Sequence, residues 1–224
     1  MIKHKPTIIV GGSGSGKTEF AVNYALRLRA DGYSPFLADL DIINPYFRAR
    51  SLKDDFEKKG IRVISGYFDD QPNLDVPALS PSLQRCFSMQ EDPSIIDAGG
   101  DAAGAVVLAR YARFVADTPY NMWIAVNANR PQTTTLTDTI TCLKDIENAG
   151  RLRITGIINT THLLEETSLA DIMKGDILAR ELSEQAGLPV IYTIVQETML
   201  VELRDFKPAG ELFPICLQVR PEWL

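Results

Sequence analysis

Gly11-Gly12-Ser13-Gly14-Ser15-Gly16-Lys17-Thr18 fits G-x-x-x-x-G-K-[ST], and its flanks carry as much information as the motif. Ahead of it runs Thr7-Ile8-Ile9-Val10, apolar and β-branched; behind it Glu19-Phe20-Ala21-Val22-Asn23-Tyr24-Ala25-Leu26 reads as a helix. A strand turning through glycines into a helix aims consecutive backbone N–H groups and the positive end of the helix dipole at one point. That point is a seat for phosphate. Lys17 adds an ammonium for the β- and γ-phosphates of a nucleotide, and the Thr18 hydroxyl is a magnesium ligand. A Gly/Ser-rich turn before an ordinary helix explains the glycines but not the Lys-Thr pair in this register.

Outward from this loop, short apolar runs alternate with helical patterns. Strands are predicted at 7–10, 35–40, 61–64, 94–97, 121–126, 154–159 and 190–195, with a weaker one at 215–219. Helices are predicted at 17–30, 102–115, 134–148 and 169–186, with Gly32, Gly150 and Gly187 as stops. This alternation predicts an α/β P-loop NTPase fold: a doubly wound, mostly parallel sheet of about seven or eight strands with helices on both faces. No linker or repeat divides the pattern, so residues 1–224 read as one nucleotide-binding domain. The stretch 65–81 carries prolines, Gly, Asp and Asn that exclude regular structure; it reads as a functional loop or as a crossover near the sheet edge.

A net charge of −6 leaves no basic footprint for phosphate backbones or anionic membranes, so neither nucleic acid nor membrane is an expected partner. Cys86, Cys142 and Cys216 lie far apart without C-x-x-C spacing and read as small buried hydrophobes. His4 and His162 share no metal-ligand spacing. The N-terminus lacks an apolar h-region, no apolar run is long enough to span a bilayer, and the end Val219-Arg220-Pro221-Glu222-Trp223-Leu224 is no basic amphipathic helix. A cytoplasmic location is expected.

Two further segments carry chemistry. In Phe36-Leu37-Ala38-Asp39-Leu40-Asp41, the period of two in an extended chain puts both carboxylates on one face at a strand end. Asp41 is placed to order a water at a γ-phosphate, with Asp39 deeper behind it. Ser94-Ile95-Ile96-Asp97-Ala98-Gly99-Gly100-Asp101 contains D-x-x-G after another apolar strand. Asp97 suits a magnesium-bound water, and the Gly100 N–H is open to the γ-phosphate. After the fifth predicted strand, Asn127-Ala128-Asn129-Arg130-Pro131 also faces the crevice, where Asn127 and Arg130 meet a substrate or simply form a turn.

These three loops, in this order, resemble the MinD/ParA class of SIMIBI P-loop proteins (the CobQ/CobB/MinD/ParA nucleotide-binding group), whose relatives include nitrogenase iron protein and dethiobiotin synthetase. The segment Asp39 through Arg48 is similar to a little-characterised bacterial group with the pattern D-x-D-x-x-N-P-Y-F-R. The resemblance implies that Asp41 orients the attacking water, that Asp97 through Gly100 reports the γ-phosphate, and that Asn159 reads the purine with its amide. GTP-binding relatives carry N-K-x-D at Asn159-Thr160-Thr161-His162; His162 replaces the Asp that would accept from guanine, which points to ATP. Switch-type members also carry a second lysine early in the loop that reaches across a dimer, and Gly12 stands there instead. A homodimer remains the expectation of the class without the lysine that makes it necessary; Arg48 is a candidate compensating charge.

The expected function is therefore an Mg-ATP hydrolase that couples its nucleotide state to a protein partner. Lys17, Asp41 and Asp39 are the expected catalytic residues, Gly11 through Thr18 with Gly100 and Asn159 the nucleotide contacts, and Thr18 with Asp97 the metal ligands. Tyr46-Phe47-Arg48 and Tyr67-Phe68 are candidate partner contacts. Two other readings stay open: a small-molecule kinase or ATP-dependent ligase on the same loop, or a non-hydrolysing ATP-binding regulatory module. No arginine-rich lid segment supports the kinase.

Overall fold

The computed structural model describes residues 3–40, 53–65, 81–99, 102–115, 118–162 and 164–218. Within them lie eight strands, Thr7–Val10 (β1), Phe36–Asp39 (β2), Arg62–Ser65 (β3), Ser94–Asp97 (β4), Asn121–Val126 (β5), Gly156–Asn159 (β6), Val190–Gln196 (β7) and Glu211–Ile215 (β8). They form one sheet in the order β3-β2-β4-β1-β5-β6-β7-β8, every pair parallel. The helices are Lys17–Ala30 (α1), Lys53–Lys58 (α2), Pro81–Cys86 (α3), Ala102–Val115 (α4), Leu136–Gly150 (α5) and Leu169–Ala186 (α6).

Because alternate residues of a strand face opposite ways, an apolar run buries both faces of the sheet. Ile8, Val10, Ile96, Ile124, Val126 and Ile157 pack under α3 to α6, against Leu83, Leu108, Ile146 and Leu182. Ile9, Leu37, Ile95 and Ile158 face the other way, against Phe20 and Ala21 of α1 and Phe56 of α2. Each fully buried isoleucine contributes about 1.5–3 kcal/mol, which holds β1 at the centre of the sheet. The winding reverses at β1, flanked by β4 and β5, and at such a switch point the carboxyl ends of neighbouring strands open a crevice.

Several expectations change. The last strand is Glu211–Ile215 rather than 215–219; as an edge strand paired only with β7 it tolerates Pro214. The helices α2 and α3, six residues each, are too short to announce themselves by period. Gly150 is not a stop: it closes the last turn of α5, and the left-handed residue is Arg151, with φ 55°. Gly187 is the expected left-handed cap of α6. Of the cysteines only Cys86 is fully buried, and burial pushes its thiol up to about 12; Cys142 is half-buried and Cys216 exposed. The segments 41–52 and 66–80, with Arg48 and the candidate partner contacts Tyr46, Phe47, Tyr67 and Phe68, lie outside the described residues, as do 219–224. Among the described residues no helix is long and apolar enough to cross a membrane.

Two helix glycines carry opposite predictions. A Cβ on Gly175 of α6 would lie 2.2 Å from Thr161 Oγ1 and 2.3 Å from Asn159 Oδ1, whereas one on Gly150 meets Ala105 and Leu108 at 3.5–3.7 Å. Gly175→Ala is expected to destabilise by about 1–3 kcal/mol through overpacking. Gly150→Ala is expected to stabilise by up to about 1 kcal/mol through helix propensity. Urea unfolding of both variants reads the two signs.

Candidate functional site

The turn from β1 into α1 is built on left-handed glycines. Gly11, Gly14 and Gly16 have φ of 144°, 70° and 89°. A Cβ on Gly11 would sit 2.5 Å from the Ala125 carbonyl oxygen of β5, so the loop passes its neighbour strand only because that side chain is missing. Gly16 is the N-cap of α1 and supplies no side-chain acceptor, which leaves the first helical N–H groups to be satisfied from elsewhere. Lys17 is buried and its Nζ donates to the Gly12 carbonyl at 3.4 Å, folded back over the loop. Ser15 Oγ is buried in the same loop with no hydrogen-bond partner among the described residues.

One carboxylate meets this loop and a second stands beside it in the sheet. Thr18 Oγ1 donates to Asp97 Oδ2 at 2.6 Å, joining the first turn of α1 to the end of β4. Asp39 pairs in register with Asp97 across β2 and β4, and both are nearly fully buried. A hydroxyl and carboxylates at one point form a hard-oxygen donor set, the chemistry that fits magnesium. Asp41 and Gly100, expected to complete this side, lie outside the described residues.

On the other side of the loop a cleft runs toward the ends of β6, β7 and β8. Its wall includes Thr160, Thr161, His162 and Leu164 after β6, Gln196 at the end of β7 and Leu217 after β8. Asn159, expected to read the base, lies at the end of β6. It is 1% exposed, faces Gly175 of α6, and its Oδ1 accepts the Thr161 N–H at 3.1 Å, so it shapes the 160–162 turn from behind. His162 is the residue that reaches the cleft, with its ring against Gly16. Its Nδ1 lies 2.7 Å from the Thr160 carbonyl oxygen and 3.2 Å from Asn127 Nδ2; the tautomer that donates the shorter bond to the carbonyl leaves Nε2 an acceptor. Burial holds its pKa below the ordinary value.

Asn127 links the parts and is wholly buried. Its Nδ2 donates to the His162 carbonyl at 3.4 Å and approaches the Gly14 carbonyl at 3.5 Å, while Oδ1 accepts from the Asn129 N–H at 3.0 Å and the His162 N–H at 3.4 Å. Arg130 Nε donates to the same Gly14 carbonyl at 3.1 Å. Of the two sequence readings for this segment, a ligand contact and a turn, these bonds describe the turn; Arg130 also lines the cleft. Gln132 was missed: a Cβ on Gly12 would fall 2.0 Å from Gln132 Oε1, so this carboxamide fills the space above the departing lysine position. The sequence signal for it was its place three residues before the helix cap Thr135, in a loop already known to face the crevice.

No protein-family model matches the chain, and no curated protein does. Solved structures do. FtsY of Thermotoga maritima, a cell division protein, superposes with a TM-score of 0.57 at 24% identity, over 96% of this chain and 64% of that one. The signal recognition particle receptor FtsY of Elizabethkingia anophelis, in complex with GDP, gives 0.54 at 21% identity over 89% of this chain and 60% of that one. The signal recognition particle 54 kDa protein of Aeropyrum pernix K1, also in complex with GDP, gives 0.53 at 21% over 82% and 39%. This chain spans less than two thirds of the length of each. The likeness shows a shared fold, an eight-stranded parallel sheet with helices on both faces.

Proposed function

We propose that this chain binds Mg-ATP at the β1–α1 loop, hydrolyses it, and couples the nucleotide state to a protein partner. The observation that carries the reading is the 2.6 Å bond from Thr18 to Asp97 beside the glycine loop and the buried Lys17. It puts the hydroxyl and the carboxylate expected to hold magnesium within hydrogen-bond distance of each other. Magnesium there would neutralise charge on the β- and γ-phosphates. On this reading the loop N–H groups of 11–16 bind the phosphates, and Lys17 exchanges the Gly12 carbonyl for phosphate oxygen. Asp97 orients a metal-bound water, and Asp39 supports it from the adjoining strand. Asp41 orients the attacking water and Gly100 contacts the γ-phosphate, roles carried over from the MinD/ParA resemblance. The nucleotide-binding unit is proposed to be the whole of 1–224. A homodimer rests on the resemblance alone, and Gln132 over Gly12 speaks for a phosphate site completed within one chain.

Base choice rests on His162. A neutral imidazole with its Nδ1 proton on the Thr160 carbonyl offers Nε2 as an acceptor for the adenine amino group. A guanine nucleotide is the second reading, favoured by the GDP bound in two of the similar structures.

Phosphate release from Mg-ATP and Mg-GTP, with no acceptor added, tests the reading. Acceptor-independent release is expected, favouring ATP. Lys17→Ala and Asp41→Ala are each expected to lower it by roughly 100-fold or more. Binding without release would move the reading to the kinase or the regulatory module. ATP affinity should also weaken as pH falls. The folded pKa of His162 lies below its unfolded value near 6.5, so the neutral form persists to below that pH and the acceptor is lost only as pH falls through the folded pKa. Titration calorimetry at falling pH reads the effect, and His162→Ala is expected to lower ATP affinity at neutral pH; unchanged affinity in that variant would remove His162 from base recognition.

A further inference from the structure

Glu19 and Asn23 stand one turn apart on α1 and both reach the segment that follows β8. Glu19 Oε1 accepts the Gln218 N–H at 2.6 Å and the Asn23 Nδ2 at 2.9 Å, and Asn23 Oδ1 accepts the Cys216 N–H at 3.2 Å. Asn23 Nδ2 also donates to the Glu19 carbonyl at 2.9 Å, which holds the amide in one orientation. The amides of 216 and 218 are alternate groups of an extended segment, and two side chains bind them as a neighbouring strand would. Nothing in the proposed chemistry uses these side chains.

Leu217 lies between the two anchored amides, and it lines the cleft with Thr160, Thr161 and His162 across the end of β7. Its isobutyl group is the apolar surface a purine ring needs opposite polar edge contacts. α1 is also the helix whose N-terminus carries the phosphate loop. The helix that holds the phosphates therefore holds the base wall as well.

We propose that Glu19 and Asn23 are positioning residues for the base: they clamp residues 216–218 to α1 and thereby set Leu217 as one wall of the base subsite. This rests on the nucleotide reading above and names which part of the ligand the clamp serves. Phosphate contacts lie at residues 11–18, whereas Leu217 follows β8, four strands from β1, so loss of the clamp should weaken ligands that carry a base and spare those that do not.

Calorimetric binding of Mg-ATP and of Mg-tripolyphosphate, which has no base, to the full chain separates the two. Glu19→Ala and Asn23→Ala are each expected to raise the Kd for Mg-ATP about tenfold while tripolyphosphate changes by less than about twofold. Glu19→Gln keeps an acceptor for the Gln218 N–H and is expected to retain most of the affinity. Leu217→Ala, which leaves both anchors intact, is expected to show the same ATP-only loss. Hydrogen exchange at the 216 and 218 amides should quicken in the two clamp variants and not in Leu217→Ala. Equal weakening of both ligands would overturn the proposal, because the clamp would then support the phosphate loop. So would unchanged ATP binding despite faster exchange. If the wild-type chain binds neither ligand, the nucleotide reading falls and the clamp proposal falls with it.

Discussion

The bond from Thr18 to Asp97 is the constraint on which the site depends. It spans two elements that meet only in the folded sheet, and its 2.6 Å length requires the pairing of β1 with β4, in which Ile9 stands opposite Asp97. A shift of one residue in that pairing would turn Asp97 to the other face of the sheet and away from α1. The apolar residues that set the register, Ile8 and Ile9 of β1 with Ile95 and Ile96 of β4, are wholly buried. Hydrophobic packing on both faces of the sheet thus holds polar groups at its carboxyl edge in a geometry that they would not reach alone.

Those polar groups are expensive to bury. A buried ammonium or carboxylate without compensation costs several kcal/mol, so Lys17, Asp39 and Asp97 together are stabilised only by what surrounds them. Part of the compensation is visible: the Gly12 carbonyl for Lys17 and the Thr18 hydroxyl for Asp97. Both partners are groups that a phosphate or a magnesium ion would take over.

The second polar system lies on the opposite side of the loop and does a different job. Asn127, wholly buried, ties the turn after β5 to the turn after β6, and Arg130 and His162 press on Gly14 and Gly16 from that side. Glycine at these positions leaves room for that approach as well as for a phosphate. The loop is held between a carboxylate side toward β4 and β2 and an amide and imidazole side toward β5 and β6. Movement on either side would be felt by the glycines between them.

Much of this was local enough to read from the chain. The run Thr7 to Val10, the glycines and the helix from Lys17 follow from neighbouring residues, as do β4, β5, α4 and α6, because period and caps act over a few residues. The candidate residues Lys17 and Asp39 and the candidate metal ligands Thr18 and Asp97 could be picked out because each sits at the end of an element whose limits are local. What the sequence did not disclose depends on who meets whom. Glu19 meets Gln218 across 199 positions and Asn23 meets Cys216 across 193, and no local pattern encodes either contact. Asn159 reads as a base contact from its motif, and its bond to the Thr161 N–H and its nearness to Gly175 of α6 appear only in the folded chain. Gln132 finds Gly12 only because β5 lies beside β1. The sequence by itself determined the elements and the chemistry available at their ends; the tertiary structure decided which of those groups share a site, because strand order and register, not sequence neighbourhood, set the distances between them.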